Sequence, residues 1–138
     1  MTDDDRHPVI LSTTAPPNPD YVHEVAAAIP EAFDVLNHQT LHREALTEPQ
    51  DAHQVILDLA VAASREPQLL DQVATRLAGM AARGEIRADG EDPLPLAIAS
   101  VRLRADKARG LAEELHKALA SLAVATSHLK AGGEDDDD

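Results

Sequence analysis

Histidine is the residue type in this chain with the most chemistry to offer. Asp34, His38 and His42 recur every four residues, so on a helix they share one face, with Glu31 beside them. Counting heights along antiparallel helices brings His53 and His128 to the same end of the rod. Such a cluster could hold zinc or nickel, or titrate together near neutral pH, and His38, His42 and His53 are its candidate members. Against this, the 34/38/42 face points away from the apolar line through Phe33 and Leu36, and His128 falls on an outward position. Solvated surface histidines are the favoured reading.

Other arrangements offer less. Glu113-x-x-His116 has the spacing of a carboxylate-bridged di-iron helix, but such a site needs a second pair and two further carboxylates. Glu113 is better placed to pair with Lys117, four residues on. His116-Lys117 and His128-x-Lys130 put a base near an imidazole without the spacing expected of a phosphotransfer domain. The serines lie in helical runs with no nucleophile elbow, and the glycines form no phosphate-cradling loop. There is no cysteine, which removes thiolate chemistry and disulfides. The segment 70–87 superficially resembles a helix-turn-helix, but Gly79 is followed by helix formers and the segment is not basic. The expectation is a protein that is not an enzyme and carries no cofactor.

The elements themselves are far more legible. Leu94, Ile98, Val101, Ala105, Ala108, Ala112, Leu115, Leu119, Leu122, Thr126 and Leu129 alternate spacings of four and three. That pattern specifies one long helix with a narrow buried seam. Val22, Ala26, Ile29, Phe33, Leu36 and Thr40 repeat it after Asn18-Pro19, a cap followed by a first-turn proline. Ala52, Ile56, Leu59, Ala63, Glu66, Leu70, Val73, Leu77 and Met80 repeat it again, behind a capping pair, Thr47 and Gln50. Gly84 supplies a left-handed stop, and Asp92-Pro93 caps the last helix. Pro30 and Pro67 interrupt two of these runs without shifting their register, which predicts kinks rather than breaks.

The fold class expected is therefore all-α: an elongated, coiled-coil-like antiparallel three-helix bundle over 19–130. Its helices span about 19–46, 48–83 and 93–130, between a disordered N-terminal arm (1–18) and an acidic tail (131–138). Pro30, Pro67 and Gly110 come to nearly one height, which is rich in alanine and should form a slender waist. Tyr21 and Phe33 are the only aromatic residues, and a core of alanine and leucine argues against a sandwich or barrel.

Net charge is −13, and the two ends hold eight acids against Arg6 alone. Bases elsewhere are interleaved with acids, so no basic stripe is available for phosphates and nucleic acid is not an expected partner. No apolar run approaches the ~20 residues of a membrane span, and cytoplasmic residence is the default expectation. Abundant alanine and a preference for arginine suggest the coding bias of a GC-rich bacterial genome. On the last helix, Leu96, Leu103, Leu111 and Val124 fall away from the seam, as a partner helix would require. The function expected is a protein–protein interaction module (adaptor, scaffold or small regulatory subunit), meeting a protein partner or a second copy through that row. The alternatives are the metal- or pH-responsive histidine cluster and an acidic mimic of nucleic acid.

Overall fold

A computed structural model describes residues 8–133 and is entirely helical among them, with no strand. The acidic run Asp3–Asp5 and the tail Glu134–Asp138 lie outside the described residues. Three long helices follow in order: α1 (Pro19–Gln39), α2 (Pro49–Ala82) and α3 (Leu94–Ser127). A short 3-10 turn, Arg43–Ala45, stands between α1 and α2. The chain divides between Thr47 and Glu48 into two compact units, so α1 belongs to one and the α2–α3 hairpin to the other.

In the first unit, Asn18 caps α1 as its sequence suggests, its Oδ1 accepting from the Asp20 N–H at 2.8 Å. The helix runs through Pro30 without a break. It stops at Gln39, seven residues short of expectation, and the reason is local. Thr40 turns its Oγ1 back onto the Leu36 carbonyl at 2.8 Å, and the next N–H groups, of Leu41 and His42, bond three residues back. Such tightening ends a helix. Leu41, 79% exposed, has nothing to hold a further turn in place. Before α1, the Tyr21 phenol donates to the Ile10 carbonyl at 2.7 Å and accepts from the Ser12 N–H at 2.9 Å. That clasp ties the preceding segment to the first turn of the helix.

The hairpin begins one residue later than its expected cap. Proline at the first helical position, Pro49, makes Glu48 the N-cap, and the capping box is Glu48 with Asp51 rather than Thr47 with Gln50. The helix passes through Pro67 and ends as predicted at Gly84, whose φ of 70° lies in the left-handed region. Gly84 N–H bonds the Ala81 carbonyl and Glu85 N–H bonds the Met80 carbonyl, which closes the terminus as a Schellman motif. Pro93, not Asp92, is the N-cap of α3, because the first helical residue is Leu94.

Helices α2 and α3 pack against each other. Three side-chain bridges give their register: His53 to Thr126, His116 to Ala60 and Arg102 to Asp71. The pairing is antiparallel, and Pro67 and Gly110 fall between the same two bridges, at one height. The contact line on α3 follows the expected seam as far as Ala112, then shifts by one residue to His116 and Ala123. Leu115 and Leu122 are left 49% and 46% exposed. A straight helix turns at 3.6 residues and drifts off a 3.5-residue repeat, so a seam cannot stay on one heptad line indefinitely. On α2 the line runs through Ala60, Ala63 and Ala74, all buried, with Pro67 half-buried among them. Glu66 is exposed and Val73 is 50% exposed, so both leave the seam expected for them.

The buried core thus consists of Ala60, Ala63, Ala74, Ala112 and Ala123, and no large side chain among the described residues is fully buried. Methyl groups at the contact let two helix axes come to the short end of the usual 8–10 Å range. Gly110, mid-helix with nothing within 4 Å of a built Cβ, gives a direct check on the helix. Gly110→Ala should raise unfolding stability by about 0.5–1 kcal/mol. Gly84→Ala, forced into the left-handed region, should lower it by roughly 1 kcal/mol. Urea titrations of the two variants measure both.

Candidate interaction face

An antiparallel pair of helices has two open faces, and side-chain chemistry makes these two unlike. One face is laced by polar bridges. At its open end His53 Nδ1 lies 2.8 Å from Thr126 Oγ1. That hydroxyl already donates to the Ala123 carbonyl at 3.0 Å, so the imidazole must supply the hydrogen. His116 Nδ1 stands 2.8 Å from the Ala60 carbonyl and must donate as well. Both rings therefore carry a proton on Nδ1. Toward the hairpin turn, Arg102 reaches Asp71 at 2.8 Å and Thr75 at 3.0 Å, while Arg109 approaches the same Asp71 at 3.6 Å. These ion pairs are more than a third exposed, so each contributes only about 0–1 kcal/mol. Their effect is to fix register.

Between the two histidines the same face forms a shallow groove of about 340 Å³. Leu57, Val61, Ala120 and Val124 line it, with Ser64 and Ser127 at its edges. It is apolar but open, and no charged group converges on it.

The opposite face has no such bridges. Helical geometry at ~100° per residue gathers Val55, Leu59, Ala62, Glu66, Leu69, Val73 and Met80 into one stripe on α2. It gathers Leu111, Leu115, Ala118 and Leu122 into a shorter stripe along the C-terminal half of α3. Both repeat in steps of four and three or seven, the spacing that receives another helix. Leu69 is 53% exposed and Leu111 57%. This apolar face, not a cleft with converging polar groups, is the strongest candidate site.

The four residues expected at a partner surface are all exposed: Leu96 (54%), Leu103 (72%), Leu111 (57%) and Val124 (61%). They do not form one row. Leu111 joins the apolar stripe, Val124 enters the groove on the polar face, and Leu96 and Leu103 lie on the side of α3 turned from α2. Leu115 and Leu122 were assigned to the seam by their heptad positions. Their membership in the stripe becomes visible only once the seam's drift is known.

Of the candidate metal ligands, His38 and His42 meet edge to face with ring centroids 5.4 Å apart. His53 belongs to the hairpin unit and its Nδ1 is engaged by Thr126. Among the described residues no three histidine, aspartate or glutamate side chains gather closely enough to hold a metal ion. His116 of the Glu113-x-x-His116 pair is spent on the Ala60 carbonyl. No helix among the described residues is long and apolar enough to cross a membrane.

Comparison with protein-family models, with curated proteins and with solved structures finds no match to this chain. The bridging histidines give the testable consequence here. His53→Ala and His116→Ala should each lower stability by about 1 kcal/mol, and the double substitution should add the two losses, since the bridges are about two turns apart. Denaturant titration of the three variants decides it.

Proposed function

We propose that this chain is a non-enzymatic helical interaction module, an adaptor, scaffold or small regulatory subunit. One observation carries the reading. The fully buried residues of the α2–α3 hairpin are all alanine, and larger residues at the contact such as Ile56, Leu70, Leu77, Ile98 and Leu119 are only half-buried. Ten further large apolar side chains on the same two helices are more than a third exposed. Burying a leucine side chain is worth about 1.5–3 kcal/mol and burying an alanine methyl about 0.8 kcal/mol. Much of the hydrophobic stabilisation this hairpin could gain therefore remains on its outer faces. It is realised only when another protein surface covers them.

A reaction centre would leave other marks. It would need a recess with two or more polar groups converging on one point. Within the hairpin His53 and His116 are occupied in bridging α2 to α3, which supports reading these two as structural.

The test uses the tagged full-length chain in extract of its native host. Sizing should find it in an assembly heavier than its own 14.7 kDa. Leu115→Glu combined with Leu122→Glu should return it to the size of a single chain. A wild-type chain that already migrates alone contradicts the reading.

A further inference from the structure

We infer that the groove between His53 and His116 seats the indole ring of a tryptophan carried by a partner protein. This rests on the interaction-module reading and names the partner's anchoring residue. The polar atoms around the groove carry it. Four side chains there bear an N–H or O–H: His53, Ser64, His116 and Ser127. Every one of those hydrogens is already committed. His53 Nδ1–H goes to Thr126 Oγ1 and His116 Nδ1–H to the Ala60 carbonyl. Ser64 donates to the Val61 carbonyl and Ser127 to the Val124 carbonyl, each at 2.6 Å. The neutral imidazoles and the hydroxyls are left with lone pairs, on Nε2 of each ring and Oγ of each serine. The rim accepts hydrogen bonds and has none to give.

Between those acceptors the groove is apolar. Ala60 and Ala123 are 5% and 4% exposed at its base, and Val61 and Val124 stand beside it at 43% and 61%. His116 sits at the height of Ala60, seven residues along α2 from His53. The two rings are therefore ~10 Å apart along the groove.

Candidate occupants separate by their own hydrogen-bonding groups. A leucine or phenylalanine covers the acceptors and leaves their lone pairs without water or partner, which is costly. Carboxylates, amides and hydroxyls, tyrosine included, bring acceptors that find no hydrogen on this rim. Lysine, arginine and tryptophan alone donate without accepting. No carboxylate lines the groove to meet the charge of the first two. Tryptophan is left, a large apolar ring system with one neutral donor, of the kind that anchors protein interfaces. Openness selects its source. A free ligand is normally enclosed over most of its surface. A shallow groove of about 340 Å³ covers one side of a ring and leaves the other to the protein that bears it.

Titration of the purified full-length chain with N-acetyltryptophanamide tests this, read from the NMR signals of the histidine rings. The chain has no tryptophan of its own, so indole signals report the probe alone. The His53 and His116 signals should move, with a dissociation constant on the order of millimolar for a lone anchor. Methylating the probe's indole nitrogen removes the donor and keeps the ring, and should weaken binding about fivefold. N-acetyltyrosinamide and N-acetyllysinamide should both bind more weakly than the tryptophan probe. Ala120→Leu fills the groove, leaves all four committed hydrogens in place and should abolish the shifts. The comparison of probes on the wild-type chain keeps the test decisive should that variant fail to fold. Unmoved histidine signals at about 10 mM probe, equal binding of the methylated probe, tighter binding of the tyrosine or lysine probe, or shifts that survive Ala120→Leu each overturn the inference. If the probe fails while the chain still enters a heavy assembly in host extract, the interaction-module reading stands without this anchor. A chain that runs alone in that extract removes both.

Discussion

Two helices held together by alanine impose the constraint from which the rest of this hairpin follows. Methyl-to-methyl contact draws α2 and α3 close along Ala60, Ala63, Ala74, Ala112 and Ala123. The fully buried positions of the contact hold no side chain larger than alanine. The larger apolar side chains are accordingly displaced to the edges of the contact, where Leu69, Leu115 and Leu122 are about half exposed. A wider spacing would have placed those leucines inside and left a self-sufficient pair. The narrow one yields a hairpin whose fully buried contact is slight and whose outer surface carries exposed leucine and valine.

The polar bridges then distinguish the two outer surfaces. On one side three bridges cross between the helices: His53 to the Thr126 hydroxyl, His116 to the Ala60 carbonyl and Arg102 to Asp71. Toward the hairpin turn that side carries Asp71, Arg102 and Arg109, and covering it there would require stripping water from charged groups with little return. The other side holds valine and leucine along α2 and along the C-terminal half of α3. The same side chains that lock the antiparallel register therefore also make the two faces of the hairpin chemically unlike.

Much of this was legible before any coordinates. The long helices, the Asn18 cap, the Gly84 stop and the equal heights of Pro67 and Gly110 all follow from spacing and turn chemistry. The seam of α2 was legible only in part: Ala63 is buried on it and Ile56, Leu70 and Leu77 are half-buried, while Glu66 and Val73 leave it. Leucine and valine mark a helix face more strongly than alanine does, so Leu59, Val73 and Met80 drew the line one residue away from where Ala60, Ala74 and Ala81 place it. Periodicity reports that an apolar face exists, but it does not tell contact residues from those beside them when the contact is made by the smallest side chains. The end of α1 was overshot for a related reason. The apolar spacing reaches Thr40, and a backbone-bonding hydroxyl there outweighs the pattern beyond it. The division between a polar and an apolar face depends on which α3 residue meets which α2 residue, and neither helix carries that information alone.

The most direct measurement is the unfolding free energy of Ala63→Leu set against Ala99→Leu. Ala63 is 2% exposed on the seam, and Ala99 is exposed on the far side of α3. Wedging a leucine between closely spaced helices should cost about 1–3 kcal/mol, while the same change at Ala99 should be close to neutral. Equal effects at the two positions, or a gain in stability at Ala63, would contradict an alanine-set approach of the two helices.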